Sequence, residues 1–174
     1  MAFILPYKDI LPTIDDSAFI AVNAAVMGDV VIGADTSIWY GCTVRGDVNI
    51  IRIGSGTNIQ DGTVIHVATR GKGTHIGNNV TVGHMAMLHD CTLEDEAYVG
   101  MQAMVMDGAV VQKRAFVAAG ALVSPGKIVP TGELWAGRPA KKLRDLNAED
   151  YKLMAWSGPH YVRLGQDHKR VVPV

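Results

Sequence analysis

The residues of this sequence with the clearest chemical potential are histidines, and three of the six occupy regular positions. His66 and His89 each directly follow an aliphatic residue of a repeating pattern, Ile65 and Leu88. The two histidines are 23 residues apart, which is one eighteen-residue period of the pattern plus a five-residue insertion around residues 69–73. If the insertion loops out, both side chains fall on the same face of the molecule, one period apart.

Two imidazoles stacked in this way could bind one metal ion, because neighbouring strands lie only about 4.8 Å apart. His84 is offset by one position, two residues after Val82, and we expect it one face earlier around the coil. It could complete the site from the same chain or from a neighbouring chain. Three neutral imidazoles with one open coordination position are the ligand set of a catalytic Zn²⁺ site, and they also suit Fe²⁺ or Co²⁺. The other histidines lack this register and are predicted to be surface residues: His75, His160 and His168.

The element that must position these histidines is a six-residue repeat. An aliphatic residue recurs every six positions, with three shifts of phase, at Ile20, Val26, Ile32, Ile38, Val44, Ile53, Ile59, Ile65, Ile76, Val82, Leu88, Leu93, Val99, Val105, Val111, Val117, Val123 and Val129. The residue two positions earlier is small or β-branched in every repeat except at Lys127. Residues two apart point to the same side of a strand, so both classes face one interior. The pattern predicts a parallel β-helix of about six coils, since three short strands close each coil.

The composition limits the remaining possibilities. The chain has 174 residues and a net charge of -1, which argues against nucleic acid as a partner. Its two cysteines, Cys42 and Cys91, occupy interior repeat positions and are predicted to be packing residues in a reducing compartment. No apolar run is long enough for a membrane span. We therefore expect a cytoplasmic protein without a membrane partner.

We expect one domain with three parts: an N-terminal extension over 1–17, a β-helix domain over 18–132, and a connector with a C-terminal helix over 133–174. Asn147, followed by Glu149 and Asp150, is typical of a capped helix start. The apolar stripe of this helix is predicted to consist of Leu153, Trp156 and Tyr161. Gly158-Pro159 is expected to kink or split the helix, which would pack along a face of the coil.

A set of ordered motifs resembles the gamma-class carbonic anhydrases over nearly the whole chain. The motifs are Arg45-Gly46-Asp47, Asn58-Ile59-Gln60-Asp61-Gly62, His66, Val82-Gly83-His84 and His89. The resemblance implies an all-β fold, a left-handed parallel β-helix with a C-terminal α-helix. It also implies a homotrimer with the metal ion between subunits, and reversible hydration of CO2 to bicarbonate by a metal-bound hydroxide.

The resemblance further implies a role for each matching residue. His66 and His89 would bind the metal ion from one chain, and His84 would bind it from the neighbouring chain. Gln60 would hydrogen-bond the hydroxide, and Asn58 would orient Gln60. The remaining family positions are Arg45, Asp47 and Asp61, implied in ion pairs at the trimer interface, and Tyr161, implied near the site. The implied metal is Zn²⁺, with Fe²⁺ or Co²⁺ as alternatives.

The sequence departs from the best-known members of that family at the groups that move protons. Val48 stands where those members carry a glutamate, and residues 68–73 (Ala-Thr-Arg-Gly-Lys-Gly) replace an acidic loop. This predicts hydration that is slow, dependent on buffer or absent. One alternative is therefore a trimeric metal-binding or scaffold protein, or a metal-dependent hydrolase of another substrate such as a thioester. The other is a hexapeptide acyltransferase that uses acyl-CoA, because residues 137–141 (Gly-Arg-Pro-Ala-Lys) resemble the segment with which such enzymes often end.

Overall fold

A computed structural model describes residues 2–171 of the chain. Its strands are β1 (Phe3–Leu5), β2 (Thr13–Ile14), β3 (Phe19–Ile20), β4 (Ala25–Ile32), β5 (Ser37–Ile38), β6 (Thr43–Ile53), β7 (Asn58–Ile59), β8 (Val64–His66), β9 (Thr74–Ile76), β10 (Thr81–Val82), β11 (Met87–His89), β12 (Thr92–Leu93), β13 (Tyr98–Val99), β14 (Met104–Val105), β15 (Val110–Val111), β16 (Phe116–Val117), β17 (Leu122–Val123), β18 (Ile128–Val129), β19 (Glu133–Ala136) and β20 (Lys141–Asp145). One helix, α1 (Ala148–Val171), follows them.

The strands form three faces, because each strand from β7 to β16 pairs in parallel with the third strand after it. The histidine face contains β8, β11, β14 and β17, and the long strand β6 extends it. A second face contains β9, β12, β15 and β18. The helix face contains β3, β5, β7, β10, β13, β16 and β19, and α1 packs on its first strands. The chain is thus a parallel β-solenoid with a C-terminal helix, and the fold predicted from the repeat is confirmed.

The solenoid has about 7 turns, one more than the sequence predicts. Strands outside the repeat pattern account for the difference. β1 and β2 both pair with β4 ahead of the repeats, and β19 pairs with β16 after them. These segments add backbone hydrogen bonds without showing the aliphatic period, so the pattern alone underestimates the length of the solenoid.

The core is a set of aliphatic ladders inside the coil. On the histidine face Ile65, Leu88, Val105 and Val123 are in register on consecutive strands, and each is at most 1% exposed. The interior positions two residues earlier are also buried, including Ala86 and Ala103. Because both classes face inward, the residue directly after each aliphatic position must point outward, which fixes the side on which the histidines lie.

The C-terminal helix differs from its prediction in two ways. It is one continuous helix of 24 residues, and Gly158-Pro159 does not split it. Two of the three residues predicted for its apolar stripe are exposed, Leu153 at 42% and Trp156 at 54%, whereas Tyr161 packs against the core. The helix buries small residues instead: Ser157, Gly158 and Gly165. A side chain larger than hydrogen at Gly165 would place its Cβ 3.3 Å from that of Ser37, so small residues allow the helix to approach the sheet closely.

The two ends of α1 are fixed by polar and aromatic contacts. The predicted cap is confirmed: Asn147 Oδ1 accepts hydrogen bonds from the backbone N–H groups of Glu149 and Asp150 at 2.9 and 3.0 Å. Near the other end His168, predicted to be a surface residue, packs against Trp39 and lies 2.9 Å through Nδ1 from the Tyr40 hydroxyl. Within residues 2–171, no helix is long and apolar enough to cross a membrane.

Candidate metal centre

His66 and His89 form a stacked pair at the end of the histidine face. They close β8 and β11, and they are directly opposite each other in the register of these two strands. Their ring centroids are 5.3 Å apart. Ile65 and Leu88, immediately before them, are fully buried and anchor both backbones. The register predicted from the sequence is therefore confirmed.

A carboxylate holds one nitrogen of each imidazole. His66 Nε2 lies 3.0 Å from Asp47 Oδ1, and His89 Nδ1 lies 2.5 Å from Asp107 Oδ1. Within the described chain, the other ring nitrogen of each histidine has no hydrogen-bond partner. Histidines that bind metals usually donate their second N–H to a carboxylate, which fixes both the ring orientation and the tautomer. The donor chemistry of the pair therefore fits a divalent transition metal.

Asp47 links the pair to Arg45. The Arg45 guanidinium forms an ion pair with Asp47, on the side opposite His66. Partial burial opposes ionisation of Asp47, but hydrogen bonds from His66 and Arg45 outweigh it and hold the pKa of this carboxyl below its usual value. Asp47 is therefore an anion near neutral pH, as an acceptor for the His66 N–H must be.

His84 lies at a different corner of the coil. It follows β10 on the helix face and precedes β11 on the histidine face, as its offset in the repeat predicts. Its Nδ1 is 3.0 Å from Asp61 Oδ2, so it too has one nitrogen held by a carboxylate. No group of three potential metal ligands exists within residues 2–171 of one chain. Within one chain, His84 therefore does not form such a group with His66 and His89.

Asn58 and Gln60 lie on the helix face, beneath α1. Gln60 is 5% exposed and donates through Nε2 to Asn58 Oδ1 at 3.0 Å, and Asn58 is fully buried. Gln60 directly precedes Asp61, so it lies at the corner that carries His84. Tyr161 of α1 packs edge-on against Trp39 at 5.6 Å. Burial raises the pKa of Tyr161, and the negative charge of Asp61 raises it further.

Sequence reasoning missed two carboxylates that organise the site. Asp107 follows His89 by one eighteen-residue period, and this spacing could have identified it. Asp90, next to His89, anchors the loop over residues 68–73 by accepting hydrogen bonds from the backbone N–H groups of Ala68, Lys72 and Gly73 at 2.9–3.4 Å. Cys42 and Cys91 are buried inside the coil, as their repeat positions predict, and burial raises the pKa of both thiols to about 12.

Comparisons with known proteins give the family of the chain. A family model, the bacterial transferase hexapeptide (six repeats), matches residues 11–46. The chain is 42% identical to a carbonic anhydrase of Geobacillus kaustophilus, over 95% of this chain and 91% of that protein. It is 52% identical to the mitochondrial gamma carbonic anhydrase 2 of Arabidopsis thaliana. The chain belongs to the gamma-class carbonic anhydrase family.

Two of the matches differ from this gamma-class chain, one in its length and one in the activity that its name gives. The alignment with the Arabidopsis protein covers 90% of this chain but only 58% of that relative. A solved structure from Bacillus cereus, named as a putative acetyltransferase, superposes with a TM-score of 0.95 at 42% identity and covers 98% of this chain and 99% of that one. The family is thus established, while the names of similar proteins point to two different chemistries.

Proposed function

We propose that this protein catalyses the reversible hydration of CO2 to bicarbonate at metal sites between the chains of a homotrimer. Each site would take His66 and His89 from one chain and His84 from the next. The observation that carries this proposal is the His66–His89 pair, in which carboxylates hold both rings and leave one nitrogen of each available. The separate corner of His84 supports a donor from a neighbouring chain.

The donor set suits Zn²⁺, and three imidazoles also suit Fe²⁺ or Co²⁺. When bound, such an ion would lower the pKa of a coordinated water so that a nucleophile for CO2 exists near neutral pH. The chain's own groups would orient the reaction. Asp47 and Asp107 hold the two imidazoles, and Gln60 would offer its amide at the corner of His84.

Hydration of CO2 releases one proton for each bicarbonate formed, and that proton must reach solvent. Val48 provides no acid–base group at its position, and the loop over residues 68–73 exposes Arg70 and Lys72 rather than carboxylates. We therefore propose that proton release depends on external buffer. Arg45, Asp47 and Asp61 would support the trimer contacts, and Tyr161 would line the corner next to Gln60.

The buried, unpaired cysteines suit a reducing compartment, so we place the protein in the cytoplasm.

The decisive experiment is stopped-flow CO2 hydration on protein purified without oxygen, with the bound metal counted. His89→Ala serves as the blank, and His75→Ala is the matched control, because His75 lies on the second face away from the pair. We expect turnover that rises with metal occupancy and with buffer concentration in both wild type and His75→Ala. A metal-filled trimer no faster than His89→Ala would instead favour a metal-binding or scaffold protein, or hydrolysis of another substrate.

An acyltransferase is the second candidate, favoured by the name of the similar Bacillus cereus structure and by residues 137–141. Its test is thermal unfolding with acetyl-CoA before and after metal removal. A ligand that binds the folded state and not the unfolded state raises the melting temperature, and the rise grows with the ligand concentration relative to Kd. Stabilisation that persists without metal would support acyl transfer, and no shift would exclude acetyl-CoA as a ligand at the concentration used.

A further inference from the structure

A continuous chain of buried hydrogen bonds connects the C-terminal helix to Gln60. Ser157 of α1 contacts Thr81 through their hydroxyl oxygens at 2.9 Å. Asn58 Nδ2 donates to Thr81 Oγ1 at 2.9 Å, and Gln60 Nε2 donates to Asn58 Oδ1 at 3.0 Å. All four side chains are at most 5% exposed. Buried polar networks of this kind are kept only when each member is satisfied, and they then fix one arrangement.

The donor-to-acceptor direction of this series of hydrogen bonds is set by a backbone carbonyl, a group that can only accept. Asn58 Nδ2 also lies 3.4 Å from the backbone carbonyl oxygen of Val80. A flipped Asn58 amide would turn its own carbonyl towards this oxygen and place two acceptors together. The Asn58 amide nitrogen therefore faces Val80 and Thr81, and its carbonyl faces Gln60. Gln60 must then turn its amide nitrogen inward, towards Asn58.

This direction determines which atom of Gln60 is available outside the network. Gln60 Oε1 has no hydrogen-bond partner within residues 2–171, and no buried side-chain nitrogen or oxygen in that range is unsatisfied. Oε1 is therefore the part of Gln60 that reaches the surface. An outward carbonyl oxygen can accept a hydrogen bond from a water, whereas an outward amide nitrogen could only donate.

We propose that Thr81 and Ser157 are positioning residues that fix the Gln60 amide with its carbonyl oxygen outward, towards the reacting water. This rests on the proposed hydration of CO2. Thr81 holds the Asn58 amide nitrogen, and Ser157 holds the Thr81 hydroxyl from a helix that must be docked. The small residues Ser157 and Gly158 let α1 approach closely enough for this contact. Orientation of Gln60 thus depends on helix packing as well as on its own strand.

The test removes the Thr81 hydroxyl group while keeping the size and shape of the side chain. Thr81→Val removes the hydroxyl, and Thr81→Ser restores it. Thr36→Val is the control, because Thr36 is equally buried but its hydroxyl contacts only the backbone of Gly54 and Thr57 among residues 2–171, and no member of the network. The first readout is the ¹H–¹⁵N spectrum of the side-chain amides in metal-free protein, with the Gln60 signals assigned by their loss in Gln60→Glu. In Thr81→Val we expect shifted Gln60 signals and solvent exchange at least about tenfold faster. Thr81→Ser and Thr36→Val should match wild type.

The second readout is CO2 hydration. Loss of one hydrogen bond in the chain should lower kcat/KM about 3- to 10-fold in Thr81→Val, with recovery in Thr81→Ser. In a Gln60→Ala background the same substitution should cause no further loss, because its effect passes through Gln60. An equal loss in both backgrounds would show a purely structural role and overturn the proposal.

The two readouts separate failure of this inference from failure of the proposed function. If wild type hydrates no CO2 but Thr81→Val changes the Gln60 signals, the function is wrong and the positioning holds. If the Gln60 signals are unchanged in Thr81→Val, the positioning is wrong at any level of activity. Should Thr81→Val fail to fold, Ser157→Ala provides the same comparison, since it removes only the last hydroxyl in this series of hydrogen bonds. Unchanged Gln60 signals in a folded Ser157→Ala would then overturn the proposal.

Discussion

On the histidine face, charged neighbours hold partly exposed rings, whereas on the helix face, uncharged neighbours hold buried amides. The side chains of His66 and His89 are 19% and 24% exposed and contact Asp47 and Asp107. Asn58 and Gln60 are 0% and 5% exposed and contact each other and Thr81. The candidate site thus has two halves. Charged groups hold the half on the histidine face, and the half with Asn58 and Gln60 is part of the buried core.

The difference has an energetic consequence. An exposed carboxylate can be neutralised at small cost to folding, because water solvates whatever it leaves behind. A buried amide cannot be removed so cheaply, since its partners lose their only hydrogen bonds away from water. Substitutions on the histidine face should therefore change metal affinity, and substitutions beneath the helix should change stability as well.

The largest expected effect comes from placing the intact His84 and the intact His89 on different chains. His84→Ala and His89→Ala should each abolish metal binding alone. Co-assembled from equal amounts of both chains, a cyclic trimer with sites between chains should regain about a quarter of its sites, since only one ordered pairing of the two chains is intact. Metal content per trimer measures this. Mixed trimers that never regain metal would show that His84 does not act from the neighbouring chain.

A smaller loss is expected when only the electrostatic support is changed. Asp107→Asn keeps the shape beside His89 but removes the charge that holds its Nδ1–H. Loss of such a partner typically lowers metal affinity about 10- to 100-fold. Competition with a chelator of known affinity measures it. Asp167→Asn is the matched control, because Asp167 lies on the exposed side of α1 and, among residues 2–171, forms an ion pair with Arg170 alone. Equal metal affinity in both variants would contradict the role of Asp107.

The sequence predicts the solenoid well, because its period is local. The aliphatic ladder and the stacking of His66 on His89 both follow from counting along the chain. Asp107 stands one period after His89 and follows from the same counting, but an outward aspartate is common on any solenoid surface and does not by itself indicate a metal site. The proposed third ligand, His84, is different, because a contact between two copies of the chain cannot be found by counting along one sequence.

The helix shows where sequence patterns fail. Leu153 and Trp156 are the larger apolar residues of its first half, yet both are more than two-fifths exposed. The buried positions carry Ser157, Gly158 and Gly165, because the opposing sheet leaves no room for large side chains. Hydrophobicity cannot predict this, since the distance of approach is set by the surface on which the helix packs. The Ser157–Thr81 contact was missed for the same reason.

The core half of the site can be tested by removing its central member. Asn58→Leu is similar in size but leaves the Gln60 amide nitrogen without its partner and removes one of the two partners of the Thr81 hydroxyl, which keeps Ser157. We expect the free energy of unfolding to fall by about 1–3 kcal/mol. Urea unfolding of metal-free protein at fixed protein concentration measures this. Asp107→Asn is the contrast and should lie within about 0.5 kcal/mol of wild type. Similar values for both variants would remove the distinction between the two halves.

The smallest effect concerns the cap that starts the helix over the core half. Asp150 accepts hydrogen bonds from Arg144 at 2.5 and 3.0 Å and from the backbone N–H of Asn147 at 2.7 Å. The Arg144 hydrogen bonds lower the pKa of Asp150 below its usual 3.8. Burial opposes this shift, and the hydrogen bond from Asn147 adds to it. When folding lowers the pKa of a carboxyl group, its charged form stabilises the protein in full at pH values above the unfolded-state pKa. That stabilisation is lost as the pH falls through the folded-state pKa.

Asp150→Asn should therefore reduce the melting temperature by about 2 to 4 °C near neutral pH, and the difference from wild type should shrink in acid as Asp150 itself becomes protonated. Thermal unfolding across that pH range measures the effect, with Asp167→Asn as a control for loss of an exposed helix carboxylate. Because α1 reaches Gln60 through Ser157 and not through its cap, CO2 hydration should be unchanged wherever the variant is folded. A constant difference at all pH values would mean that Asp150 contributes through packing and not through its charge.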